Sequence, residues 1–254
     1  NRAPKALTSE FDAIYREQFI NYDTEEQQRY TPLGEQGEML IISHASFMTA
    51  MAPFITWKQK SGIKCTMVDI ATIGNNDIAI KAYITNFYNA NNLAFVLLVG
   101  DDAEVTSSTT SAGPSDQNYS FMVGSDHYSD LLIGRFSVSN LVDLNTVITR
   151  TMEYEINPFI STYYETCLGI ASDQGPGDDN EMDYEHEQGL QTLLLAYNYN
   201  TAIELYDGSQ GGLDAAGDPT SAMCALAIND GCGILNYTGH GSSSSIVTTG
   251  FDNN

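Results

Sequence analysis

Seven consecutive apolar residues, Leu93–Val99, run directly into Gly100-Asp101-Asp102. This is the longest apolar run in the chain and is far too short to span a membrane. A short apolar run bounded by glycine and acids reads as a strand of the buried kind, which belongs in a parallel sheet covered by helices. The preceding sequence fits. Met39–Ser43 and Lys64–Asp69 are further short strands. A helix is expected from Ser46 to Ser61, stopped by Gly62, with Pro53 as a point of kinking. Another is expected over Ile78–Ala90, where Ile80, Tyr83, Ile84, Phe87 and Tyr88 are the apolar positions. A β-α-β-α-β order of this kind implies parallel strands with right-handed crossovers.

The alternation continues. Thr106–Ser115 is a polar loop, and Tyr119–Val123 and Leu131–Phe136 are expected as strands. A helix over Leu141–Glu155 ends before Pro158. Then come a strand at Cys167–Ser172, an acidic Gly/Pro loop at Asp173–Asp183 and a helix over Tyr184–Tyr197. A strand at Ala202–Tyr206, a helix over Pro219–Asn229 and a strand at Cys232–Tyr237 complete the pattern. The fold class is therefore α/β, with a mainly parallel sheet flanked by helices. The two runs, 38–136 and 165–254, read as two half-domains or as one split sheet. Residues 1–29 stand apart: Thr8 or Ser9 caps a short helix with Phe11, Ile14, Tyr15 and Phe19 on one face. The polar run Asp23–Arg29 before Tyr30-Thr31-Pro32 reads as an exposed linker open to proteolysis.

Charge narrows the function classes. Ten Lys and Arg against 33 Asp and Glu give a net charge of −23, which argues against nucleic acid as a partner. All ten basic residues lie at or before Arg150, and the 16 acids from Thr151 onward have no Lys or Arg among them. The plain reading is an acidic surface of the secreted bacterial type; the sharper one is a field that draws a cationic ligand into a cleft. Cys65, Cys167, Cys224 and Cys232 have no C-x-x-C spacing and sit in apolar stretches, so they read as buried free thiols.

In open parallel sheets, chemistry lies beyond the carboxyl ends of strands. One such loop is Asp173–Asp183. Another carries His240 between Gly239 and Gly241, where glycines let backbone N–H groups approach a substrate beside an imidazole. A loop histidine satisfied by local hydrogen bonds is the plain alternative. Ser242–Ser245 lack the elbow that a nucleophilic serine needs. Glu185-His186-Glu187 is not H-E-x-x-H, so zinc is disfavoured. Structural calcium, held by carboxylates and carbonyls, is the metal expected here, with its ligands unassigned; no organic cofactor is expected.

Asn236-Tyr237-Thr238-Gly239-His240-Gly241-Ser242 resembles the catalytic-histidine segment of the gingipain family of cysteine peptidases. Val96-Leu97-Leu98-Val99-Gly100-Asp101, Ser115-Asp116-Gln117, Gly124-Ser125-Asp126-His127-Tyr128 and Ile133-Gly134-Arg135-Phe136-Ser137 resemble further blocks of its arginine-specific members. So do Tyr30-Thr31-Pro32 and Trp57-Lys58. The resemblance implies a caspase-like fold of two adjoining half-domains, 30–140 and 141–254, the second catalytic. It places His240 on the general base, with Gly241 beside it at the oxyanion, and Asp183 on the acid that recognises an arginine side chain. The acid that orients the histidine falls at Asp173 or Gln174; only Asp173 carries a charge, and it is the one taken here.

The family's nucleophilic cysteine is expected beyond Asn254, on a C-terminal segment or a separate chain. The resemblance also makes residues 1–29 the end of a zymogen's prodomain, cut at Arg29–Tyr30. The expected function is a secreted or cell-surface endopeptidase acting on proteins and peptides after arginine, with no transmembrane segment. The rival is a non-catalytic acidic scaffold or calcium-dependent binding module on the same fold.

Overall fold

The computed structural model describes residues 8–18, 37–110, 113–126, 128–177, 180–242 and 244–252. Arg29, Tyr30 and Phe19 lie outside them. The chain divides into two compact units, Asn1–Pro158 and Phe159–Asn254. The two main sheets are parallel and flanked by helices, as the alternation predicts, and a two-residue pair in the first unit is antiparallel. Among the described residues, no helix is long and apolar enough to cross a membrane.

The first unit begins with α1 (Ser9–Gln18), whose Glu10 carboxylate accepts the Gly37 N–H at 3.1–3.2 Å. Next come β1 (Glu38–Ser43), a 3-10 segment (Ala45–Met51), α2 (Ala52–Lys60), β2 (Cys65–Asp69), the single turn α3 (Ile70–Ile73) and α4 (Asp77–Ala90). They are followed by β3 (Leu93–Val99), the two-residue pair β4 (Thr109–Thr110) and β5 (Gly113–Pro114), β6 (Leu132–Phe136) and α5 (Leu141–Ile156). The main sheet has the order β2-β1-β3-β6 with all pairings parallel. The two-residue period of a strand sorts its side chains. Leu40, Ile42, Val96 and Leu98 pack with Ile80 and Ile84 of α4, while Met39, Ile41, Leu97 and Val99 pack with Phe47, Met51, Phe54, Leu144 and Ile148.

Three expectations change. The helix predicted over Ser46–Ser61 starts as the 3-10 segment and becomes α at Ala52, because Pro53 fits the first turn of a helix, where a missing N–H costs nothing. The strand predicted at Tyr119–Val123 is replaced by a 3-10 turn, Asp116–Ser120. The Tyr119 hydroxyl donates to the Thr106 carbonyl at 2.8 Å, and the Asp130 carboxylate takes the N–H groups of Met122 and Val123, so those donors are not free for a ladder. Helix α5, assigned from sequence to the half beginning at 141, belongs with the first unit. Its Leu144 and Ile148 are buried on the first sheet, and its Glu155 holds Trp57 and Lys58 of α2 at 2.6 Å each.

The loop after β3 is fixed by Arg135 of β6. Its Nε and Nη2 grip Asp116 at 2.7 Å each, and Nη1 donates to the carbonyls of Gly100 and Val105 at 2.8 Å. A planar guanidinium is the one side chain that can satisfy a carboxylate and two carbonyls together. Burial would raise the Asp116 pKa, but hydrogen bonds and charge from Arg135 outweigh it and hold the carboxyl below its usual range.

The second unit contains β7 (Thr166–Ala171), α6 (Asp183–Ala196), β8 (Thr201–Tyr206), α7 (Ser221–Asp230) and β9 (Ile234–Thr238). The sheet order is β8-β7-β9, again all parallel. Leu168, Ile170 and Leu205 face Cys224 and Ala227 of α7. Cys232, expected inside the last strand, lies ahead of it. At Gly233 an added Cβ would come within 2.6 Å of the Tyr164 carbonyl oxygen, so the chain passes through a close approach before β9 begins.

We expect Arg135→Ala to destabilise the first unit by about 2–3 kcal/mol, since it leaves a half-buried carboxylate and two carbonyls without their donor. Denaturant unfolding would measure the loss. A change below about 0.5 kcal/mol would contradict the clamp.

Candidate active site

Parallel strands deliver their C-terminal ends to one edge of the sheet, and the sequence-predicted residues gather at that edge of the second unit. Ala171 of β7 is paired with Thr238 of β9, and the Ser172 N–H donates to the Thr238 carbonyl at 3.0 Å. Asp173 therefore follows one strand end, and His240 the adjacent one. Asp183 is the first residue of α6, where the exposed N–H groups of a helix favour a carboxylate. The buried Ser172 hydroxyl donates to Asp183 Oδ2, and the Asp183 N–H donates to the Gln174 carbonyl at 2.9 Å. Glu185 takes the Met182 N–H at 2.9 Å, which caps α6 and explains the acid-rich Asp183-Tyr184-Glu185 start.

The His240 segment is shaped from below. Its carbonyl accepts the Tyr237 hydroxyl and the Val247 N–H. A Cβ at Gly239 would meet the Tyr237 hydroxyl at 2.7 Å, so glycine is what lets the chain pass over that ring. Gly241 pairs with Ile246 in an isolated antiparallel bridge, and the Ser242 hydroxyl takes the N–H groups of Ser244 and Ser245. The serines make a closed polar loop and no nucleophile elbow. His240 and Asp173 are both exposed, and no hydrogen bond joins them among the described residues. The structure brings Asp183 and Ser172 together directly, and places Asp173 and His240 at neighbouring strand ends without contact.

Under α6 lies a layer that the strand-end rule does not find. Asp183, Glu187 and Gln191, spaced four apart, share the helix face turned to the sheet. Glu187 Oε1 accepts the Thr238 hydroxyl at 2.9 Å, and Gln191 Oε1 accepts the Cys167 thiol. Glu187 and Gln191 are each 1% exposed, Tyr206 0% and Glu204 7%. Among the described residues, Glu187 Oε2, Gln191 Nε2, Glu204 Oε2 and the Tyr206 hydroxyl have no partner. Burial raises the carboxyl pKa values of Glu187 and Glu204 and pushes the Tyr206 hydroxyl far up, with Glu204 and Glu187 adding to the last. The sequence signal for this layer is a polar i, i+4, i+8 stripe on a helix whose opposite strand carries Gly169.

Burial also raises the thiol pKa of each of the four cysteines, Cys65, Cys167, Cys224 and Cys232, and all four are free. Lys58 pulls the Cys65 thiol down, but burial outweighs it, so none of the four has the lowered pKa that makes a thiolate at neutral pH. For calcium, the nearest gathering of carboxylates is at Asp207, whose pKa is raised by burial and then by Asp173 and Asp218. Among the described residues, no three His, Cys, Asp or Glu converge to hold a metal, so no calcium site is assigned.

Residues 33–254 match the model of peptidase family C25. Gingipain R2 of Porphyromonas gingivalis is 36% identical over 253 residues, covering 95% of this chain and 32% of the relative. Gingipain R1 of the same organism is 35% identical over 259 residues, covering 97% and 25%. A crystal structure of the Arg-specific cysteine proteinase gingipain R superposes with a TM-score of 0.75 at 34% identity, covering 88% of this chain and 52% of that one. This chain thus spans about a third or less of the two curated relatives and half of the solved one.

The two buried carboxyls set a pH dependence for the second unit. A folded-state pKa raised above its unfolded value near 4.3 means the native state holds more protons between the two. Stability therefore falls as pH rises through that window and is regained on acidification. Protection of β7 and β8 amides, corrected for intrinsic exchange, should be greater at pH 5 than at pH 8, and Glu204→Gln should flatten the difference. Equal protection in the wild type would contradict ionisable burial.

Proposed function

The chain belongs to peptidase family C25, a family of cysteine peptidases, and from that premise we propose that it supplies the base and the specificity pocket of a secreted endopeptidase cleaving after arginine. The observation that carries the reading is the meeting of three elements at one sheet edge: His240 after β9, Asp173 after adjacent β7, and Asp183 at the start of α6 over them.

In this reading a cysteine beyond Asn254 attacks the scissile carbonyl carbon as thiolate. The C–S bond forms, the carbonyl electrons move to oxygen, and backbone N–H groups at Gly241 hold that charge. His240 gives its proton to the departing amine, then takes one from the water that hydrolyses the thioester. Asp173, the charged group at the neighbouring strand end, orients the imidazole; no step uses calcium. Asp183 grips the substrate guanidinium, its carboxylate held by the Ser172 hydroxyl and the end of α6. The 16 acids and absence of Lys and Arg after Thr151 favour approach of a cationic substrate and leave that stretch free of target bonds. Arg29–Tyr30 is itself such a bond and would be cut on activation.

The non-catalytic rival draws on the four free thiols: Cys167 and Cys224 are buried, Cys65 and Cys232 half-buried, and the pKa of each is raised. Assays on the chain extended through the expected nucleophile separate the readings. Asp183→Asn should lower kcat/KM for arginyl peptides about 100-fold with the fold intact. His240→Ala should lower kcat by 10²-fold or more. Unchanged arginine preference in the first would remove Asp183 from the pocket, and near-normal turnover in the second would remove His240 as base.

A further inference from the structure

We infer that Glu187 is a positioning residue, tying the strand that leads to His240 to the helix that carries Asp183. This rests on the roles proposed above for those two residues. Glu187 lies one turn along α6 from Asp183, on the same face. It is 1% exposed, and its one side-chain hydrogen bond among the described residues, at 2.9 Å, is to the side chain of Thr238, the last residue of β9 and two before His240. A carboxyl group in the interior costs free energy that an apolar residue would not, and a single hydroxyl leaves its Oε2 unpartnered. Packing alone does not call for such a group.

What the contact supplies is a fixed spacing. Ser172, just past the end of β7, contributes its hydroxyl to Asp183, β9 contributes the Thr238 hydroxyl to Glu187, and β7 contributes the Cys167 thiol to Gln191. Successive turns of one helix are thus pinned to two adjacent strands. The middle contact is the one that joins α6 to the histidine's own strand. A base must stand within a few tenths of an ångström of its working place, so a pocket and a base built on different elements need a rigid tie between them. The tie acts through Thr238; Glu187 touches neither substrate nor reacting atoms.

The test uses the chain extended through the expected nucleophile, with an arginyl fluorogenic peptide, and hydrogen exchange of Gly239–Ser242. Thr238→Val, nearly isosteric, removes the donor; Glu187→Ala removes the acceptor; Glu187→Gln keeps a carbonyl in the same place. Thr238→Val and Glu187→Ala should each lower kcat about tenfold with KM within twofold. The double variant should be no worse than either, and Glu187→Gln should recover kcat to within about twofold of wild type. Exchange of the Gly239–Ser242 amides should quicken in the first two variants and not in the third. Wild-type kcat and unchanged exchange in Thr238→Val would overturn the inference, as would multiplicative losses in the double variant. A wild-type protein that cuts no arginyl substrate would instead overturn the proposed function, while the exchange data would still decide whether the tie exists.

Discussion

Everything at the candidate site depends on how closely α6 lies over β7. Gly169 sits midway along β7, and a Cβ there would come 2.3 Å from Gln191 Nε2 and 3.2 Å from Glu187 Oε2. With hydrogen in place of that carbon, the ends of the Gln191 and Glu187 side chains lie directly against β7. Three side chains on successive turns of α6 reach the strands or their ends. The result is a polar interface where most sheet-to-helix contacts are apolar, and several of its atoms lack a partner. Such groups weaken the unit, so their presence at the site edge is best understood through what they hold in place.

The first unit is built on the opposite principle. Both faces of its sheet are apolar, and its main buried charge, Arg135, is satisfied at every branch by Asp116, Gly100, Val105 and Ser107. Asp116 is held ionised, whereas Glu187 and Glu204 resist ionisation. The two units therefore respond to acid in opposite senses: the first loses a charge pair and the second is relieved of buried charge.

Much of this was legible in the sequence because its signals are local. Leu93–Val99 reads as a covered strand and is one, and the strand and helix order that follows from it is observed except at Tyr119–Val123. The Gly239-His240-Gly241 segment is expected just beyond a strand and lies there, while the roles given to His240 and Asp183 come from the resemblance and stand as proposals. The misses have a common cause, which is that they turn on distant partners. Tyr119–Val123 has strand-like residues, yet Asp130 and Thr106 claim its donors. Leu141–Ile156 has an apolar stripe that fits either half, and only Glu155 meeting Trp57 and Lys58 shows which. The burial of Glu187 is not read from the sequence, because the room for its carboxylate is left by a glycine 18 positions earlier.

As proposed, this chain supplies the base and the arginine pocket, and the thiolate comes from a further segment of the full protein. The most direct measurement is covalent labelling of the extended protein with an arginine-bearing acyloxymethyl ketone, followed by peptide mapping. The account predicts alkylation of one cysteine C-terminal to Asn254, lost when Asp183 is changed to Asn, with Cys65, Cys167, Cys224 and Cys232 unmodified. Labelling at any of those four, or equal labelling by the corresponding lysine reagent, would contradict it.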